Sequence, residues 1–239
     1  MKKVQVRIHR CKNYEEVSEE VGKELIETMM VNKHSNICLA TGESPTLAYS
    51  YFVKSIKEKK IDTQYMNITK LDEWCNLEPT SPCTCESYIQ THVLKSLNIK
   101  EDKYISFLSN ADNYENEVIR IQEELSTNPI DLCILGLGKN GHLGLNEPNE
   151  KLLPYAHVCD LSQTTKGHSM LQGNVVSSGM SIGIQEILNA KKIILMVCGK
   201  GKQGIFDEFL KQEINSYLPA SFLWLHNNVD IYVDEEVFK

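Results

Sequence analysis

The residues best suited to chemistry lie in a stretch that reads Gly136-Leu137-Gly138-Lys139-Asn140-Gly141-His142-Leu143-Gly144-Leu145-Asn146-Glu147-Pro148. Histidine is the side-chain type that changes charge near neutral pH, so His142 is the natural proton shuttle here. Glu147 is close enough in sequence to orient it. Gly136, Gly138 and Gly141 match the spacing G-x-G-x-x-G of a dinucleotide-binding turn. The match is weak, because His142 follows the third glycine at once and Gly144 and Pro148 interrupt any long helix. The stretch reads as an irregular loop that brings backbone and polar side chains to a ligand.

Three further segments carry polar chemistry. Thr41-Gly42-Glu43-Ser44-Pro45 joins a glycine turn to a helix start, where free N–H groups attract anions and Thr41 and Ser44 add hydroxyls. An ordinary capped turn has the same composition. Asp72-Glu73-Trp74 sets two acids beside an aromatic, which suits a general base in a partly desolvated pocket or, equally, solvated loop charges. Cys198-Gly199-Lys200-Gly201-Lys202 mixes glycine and lysine in a way that suits phosphate. Solvated surface lysines are the plainer account, and the complete nucleotide P-loop pattern is absent.

The elements that would position these segments can be read from apolar runs. Residues 4–8, 36–40, 67–71, 131–135, 192–198 and 229–233 read as strands, and the run DLCIL at 131–135 as one buried on both faces. Asn13, with Glu16 as capping-box partner, opens a helix that runs to about residue 30. Further helices are expected from Pro45 and over 86–97, 111–125 and 202–213. This alternation predicts one α/β domain over residues 1–239, with a mostly parallel sheet covered on both sides. Ligands of such sheets bind beyond the carboxyl ends of the strands, where all four segments fall.

The bulk properties narrow the function. The 239 residues are 41% hydrophobic and 24% charged, with a net charge of −7. An acidic chain disfavours nucleic acid as a partner and leaves an anionic substrate to be held by a few local donors. No apolar run has the length of a signal peptide core or a membrane span, which points to the cytoplasm. Eight cysteines are present; Cys38, Cys133 and Cys198 sit in apolar runs, Cys83 and Cys85 are one residue apart, and no pair has zinc spacing. They read as structural, with neither disulfide nor metal expected.

Taken together, the segments resemble the glucosamine-6-phosphate deaminase/isomerase family. TGESP at 41–45 is similar to that family's TGGTP phosphate loop, and LDEW at 71–74 to its MDEY segment. GKNGHLGLNEP at 138–148 is similar to the specific signature G-x-D/N-G-H-I-x-F-N-E-P, and 180–202 to a strand–helix–strand unit that ends in a phosphate-binding lysine. PASFLWLHNNV at 219–229 resembles the galactosamine-6-phosphate isomerase subgroup.

The resemblance implies a three-layer αβα sandwich with a Rossmann-like sheet. It also implies isomerisation and deamination of a hexosamine 6-phosphate without metal or redox cofactor. Galactosamine 6-phosphate, giving tagatose 6-phosphate and ammonia, is favoured over glucosamine 6-phosphate, giving fructose 6-phosphate. His142 would shuttle the ring-opening proton, Asp72 would move a proton between C2 and C1, and Glu147, with Asn140, would support the histidine. Thr41, Gly42, Glu43, Ser44, Gly138 and Lys202 would hold the phosphate.

Four departures stand out. Asn140 replaces a frequent aspartate and cannot supply charge. Glu43 replaces a glycine beside the presumed phosphate. A phosphate-binding arginine falls at Leu171, with Lys166 and His168 as nearby substitutes. Effector-site positions fall on Glu150, His157 and Cys159, which argues against allosteric activation. The implied partner is a small sugar phosphate, and a homo-oligomer is compatible with the family. A 6-phosphogluconolactonase shares the fold and a Gly-His loop but lacks the Asn146-Glu147-Pro148 ending. A sugar-phosphate sensor would need a DNA-binding module, which the sequence does not show before Val4. A nucleotide-dependent oxidoreductase lacks its sequence context.

Overall fold

The computed structural model describes residues 6–239. Ten strands follow in chain order: β1 (Val6–Cys11), β2 (Asn36–Leu39), β3 (Asn67–Lys70), β4 (Asp72–Trp74), β5 (Tyr104–Ile105), β6 (Leu132–Gly136), β7 (His157–Asp160), β8 (Ser178–Ser181), β9 (Lys192–Val197) and β10 (Val229–Asp234). Seven form one sheet in the order β1-β10-β9-β6-β2-β3-β5, with every pairing parallel. The eight α-helical segments are α1 (Tyr14–Val31), α2 (Glu43–Lys59), α3 (Cys85–Ile89), α4 (Lys95–Leu97), α5 (Tyr114–Thr127), α6 (Gln163–Lys166), α7 (Ile184–Leu188) and α8 (Gln203–Leu210). None of the helices described is long and apolar enough to cross a membrane.

Alternation along the strands divides the apolar runs between two cores. Ile37, Leu39, Leu132, Ile134, Ile194 and Met196 face α1, α2 and the 85–97 segment. Cys38, Cys133, Leu135, Ile193 and Leu195 face α5, α7 and α8 on the other side. A period of two in side-chain direction is what lets continuous apolar strands serve both layers of an αβα sandwich. The cysteines within these runs are buried free thiols, as their apolar surroundings suggest.

The elements expected from sequence are present, with shifted ends. The strand expected at 4–8 is β1, which extends to Cys11; Val4 lies outside the described residues. Asn13 does cap α1, its side chain accepting from the Glu16 N–H, but Glu16 reaches back to the N–H of Lys12. The 86–97 helix is broken by a π turn over Gln90–Leu94. The helix expected over 111–125 begins at Tyr114, because the Asn113 side chain caps it. The one expected over 202–213 is the shorter α8, with Lys202 at its N-cap.

A second sheet, antiparallel and in the order β4-β8-β7, lies outside those expectations. The chain passes from one sheet to the other at Leu71, whose N–H donates to Leu39 O while its carbonyl accepts from Ile182 N. Asp72 is thereby fixed as the first residue of β4, opposite Ser181 of β8.

Candidate active site

Strand order reverses between β2 and β6. From β2 the chain proceeds to β3 on one side, and from β6 to β9 on the other. The loops leaving two diverging neighbours open a crevice, the usual ligand position in parallel α/β sheets. The loop after β2 is 40–42, leading into α2 with Ser44 in its first turn, and the loop after β6 carries His142 and Glu147. The segments after β3 and β9 supply Asp72 and Lys202 from either side.

The first half of the crevice is an anion corner. Gly42 has a φ of 108°, a conformation open to glycine and strained for other residues, and it turns the chain into the N-terminus of α2. Its carbonyl is held by the hydroxyls of Thr46, 2.8 Å away, and Tyr88, 2.9 Å away. Thr41 Oγ1 donates to Cys85 Sγ. Lys202 Nζ reaches across from the β9 side to Ser44 Oγ at 3.4 Å. Burial presses the Lys202 pKa down, although it stays near Glu43. A half-buried ammonium beside a hydroxyl and a helix N-terminus is a setting that an anion would stabilise.

His168 closes this corner. Its ring lies 3.9 Å from where a Cβ on Gly42 would stand. Burial, then the charge of His142, lowers its pKa. Lys166 is exposed at the end of α6, and no polar contact brings it to Ser44, Lys202 or His168. Leu171 is buried in an apolar cluster with Trp74, Leu145 and Leu161, so its position serves packing. Glu43 is exposed and accepts from Ser169 Oγ at 3.3 Å, and its charge opposes the lowering of the Lys202 and His168 pKa values.

The second half holds the titratable groups. Asp72 is 8% exposed, and its Oδ1 is buried without a hydrogen-bond partner. Burial, reinforced by the charge of Glu73, pushes its carboxyl up to about 7, against the opposing pull of His142 and Lys70. His142 Nδ1 lies 3.6 Å from Glu147 Oε2, an ion-pair distance just beyond a hydrogen bond. Asn140 bridges the two: its Oδ1 accepts from the His142 backbone N–H at 3.2 Å, and its Nδ2 donates to Glu147 Oε2 at 2.8 Å. Burial alone would raise the Glu147 pKa, but His142, Thr165 and Asn140 outweigh it and bring it down to about 2.

Asp72 and Glu73 are adjacent in sequence, but their carboxylates have different surroundings. Glu73 is fully buried, with Oε1 accepting from the N–H groups of Trp74 and Cys85 and Oε2 from Glu86 N and Lys70 Nζ. Lys70, also 0% exposed, completes its shell with Glu86 Oε2 and the carbonyl of Phe107. This ion group anchors β3, β4 and α3 directly beneath Asp72. Asn146 is likewise structural, donating to the carbonyls of Leu143 and Ile182 and so tying the loop to β8. Ser162 and Thr165, which contact Glu147, were invisible as isolated hydroxyls in a polar loop. Among the described residues no cluster of three or more His, Cys, Asp or Glu is arranged to hold a metal ion.

A buried acid and an imidazole–carboxylate pair facing an anion corner, across the switch point of a parallel sheet, give this chain the layout of an α/β enzyme. Residues 12–232 match the family of glucosamine-6-phosphate isomerases/6-phosphogluconolactonase, and the chain belongs to it. It is 42% identical over 224 residues to the provisionally named deaminase AgaI of Escherichia coli (strain K12), covering 92% of this chain and 89% of that one. It is 32% identical over 222 residues to the glucosamine-6-phosphate deaminase of Staphylococcus saprophyticus, covering 90% and 92%. In structure it is similar to a monomeric glucosamine-6-phosphate deaminase, with a TM-score of 0.90, 28% identity and coverage of 96% and 98%.

Proposed function

We propose that residues 1–239 act as a single domain that isomerises and deaminates a hexosamine 6-phosphate, with galactosamine 6-phosphate the preferred substrate. The observation that carries this reading is the pairing of a carboxyl held near neutrality, Asp72, with the His142–Glu147 pair, across from Ser44 and Lys202. The phosphate would sit on the start of α2 with Lys202, Ser44 and His168. His142 would protonate the ring oxygen while taking the O1 proton, which opens the sugar. Asp72, as carboxylate, would remove the C2 proton and return it to C1, leaving an imine at C2. Water then adds at C2 and ammonia leaves, so that the amino sugar and one water give a ketose 6-phosphate and ammonia. These steps are proton transfers and a hydration, and require neither redox chemistry nor a nucleic-acid or membrane partner. The proposed location of the enzyme is the cytoplasm.

The preference for the galacto epimer rests on the resemblance of 219–229 and of TGESP to that subgroup. The 3-10 helix Pro219–Leu225 touches the His142 loop, where Ala220 N donates to Gly141 O at 3.0 Å. A site that hydrogen-bonds the C4 hydroxyl discriminates strongly, because the wrong epimer leaves buried polar groups unpaired. Ammonia release from both purified hexosamine 6-phosphates, with 6-phosphogluconolactone as control, tests the proposal. The expected order of kcat/KM is galactosamine, then glucosamine, with no lactone hydrolysis. A clear preference for glucosamine 6-phosphate would reject the epimer assignment alone, and lactone hydrolysis without deamination would reject both.

A further inference from the structure

Glu147 is gripped on the side away from His142 by a segment to which the proposed chemistry gives no task. Thr165 Oγ1 donates to Glu147 Oε1, and Ser162 Oγ lies 3.2 Å from the same oxygen. Thr165 is 3% exposed, so its hydroxyl has little water to turn to. Ser162 also caps α6, accepting from Thr165 N at 3.2 Å, and stands 3.1 Å from Thr165 Oγ1. Both hydroxyls therefore belong to one turn, whose geometry is set by its own cap. The other carboxylate oxygen, Oε2, is left to Asn140 and to Nδ1 of His142. A carboxylate with both oxygens so engaged cannot rotate without breaking charge-assisted bonds.

The same turn leads to His168. The N–H of His168 donates to Thr165 O at 3.0 Å, and its ring lies against Gly42 in the anion corner. One short stretch of chain thus touches both the anion corner and the acid that faces His142.

We propose that Ser162 and Thr165 are positioning residues that hold Glu147 turned toward His142, and that the fit of this turn links occupancy of the anion corner to competence of the acid–base pair. The inference rests on the reading above, in which His142 and Glu147 act together.

The test compares Thr165→Val, which removes the hydroxyl at nearly constant volume, with Thr165→Ser, which keeps it. Loss of a hydrogen bond to a charged group corresponds to roughly a 10- to 100-fold effect. In Thr165→Val, kcat for the hexosamine phosphate should fall by that factor, with KM changing much less, and Thr165→Ser should restore it. In the free protein, the carboxyl titration of Glu147, followed by 13C NMR, should move up from about 2 in the valine variant only. In a His142→Asn background the valine should cost little further, since residues acting through one unit are not additive. An unchanged kcat, or an equal loss in both backgrounds, would overturn the proposal. If Thr165→Val does not fold, Ser162→Ala is read by the same criteria. Should wild-type protein deaminate neither hexosamine phosphate, the functional reading fails; an unmoved Glu147 titration would then reject the positioning role, and an upward shift would uphold the grip on Glu147.

Discussion

The imidazole of His142 occupies the space that a side chain on residue 138 would need. A Cβ on Gly138 would stand 2.4 Å from Cδ2 and 2.5 Å from Nε2 of His142. The same two residues are tied through the backbone, the N–H of Gly138 donating to His142 O at 3.2 Å. The ring is therefore seated directly on peptide backbone, which cannot yield as a neighbouring side chain would.

Gly138→Ala should accordingly displace the ring. Loss of a placed acid–base group costs roughly 10²–10⁴ in rate, and overpacking of this kind costs about 1–3 kcal/mol of stability. Steady-state kinetics and thermal denaturation read the two effects. Wild-type kcat in a well-folded variant would show that the imidazole can work from another position.

Asp72→Asn should nearly abolish turnover while leaving substrate binding largely intact. With the Asp72 carboxyl near 7, the wild-type kcat/KM should fall as pH drops through about 7. The sign for stability is opposite. Asp72 and Glu186 both titrate in the folded protein near 7, well above their ordinary values. Between about pH 4 and 7 these two groups hold protons in the folded chain that the unfolded chain has lost, so their contribution to stability declines as pH rises. The asparagine variant should be more stable than wild type at pH 8, by an amount on the order of a few kcal/mol. That advantage should vanish near pH 4, and urea denaturation at the two pH values checks it.

Lys70→Met should damage both fold and titration. Removing the cation strands Glu73 and Glu86 without their shared partner, a change that costs about 3–5 kcal/mol for a buried ion pair. Lys70 also helps to hold the Asp72 pKa down, so the acid limb of the pH–rate profile should move upward. An unmoved limb in folded Lys70→Met protein would separate the ion group from the site.

Lys202→Ala should raise KM roughly 10- to 100-fold, the effect of losing a hydrogen bond to a charged group. His168→Asn should raise it less, and Lys166→Ala should leave it within about twofold, because an exposed side chain loses little on truncation. Equal KM changes for Lys166 and Lys202 would mean that the anion sits elsewhere.

Six of the seven strands of the large sheet were legible, the central ones because strands buried on both faces are written as continuous apolar runs; the two-residue β5 (Tyr104–Ile105) is too short to leave one. The antiparallel sheet was not, since SGMS of β8 and HVCD of β7 carry neither an apolar run nor clean alternation. Position after a strand identified the loops with Asp72, His142 and Lys202, which the crevice brings together. Glu73 misled because adjacency says nothing of direction: neighbours on a strand point to opposite faces. Its partner Lys70 is three residues away across the bend at Leu71, and Glu86 is thirteen residues further on. Ser162 and Thr165 acquire meaning only through where their loop is folded.

The first strand of the chain is completed by the last. β1 has β10 as its neighbour in the sheet, with Val6 opposite Val229 and Cys11 opposite Asp234. Arg7 and His9 of β1, and Lys192 of β9, all converge on Asp230 of β10. During synthesis from the N-terminus, β1 emerges more than two hundred residues before its partner, so its backbone groups must wait in water or in other hands. A chain halted ahead of Val229 would carry nearly the whole crevice, yet leave β1 stranded and β9 as a bare, apolar edge open to pairing with other chains.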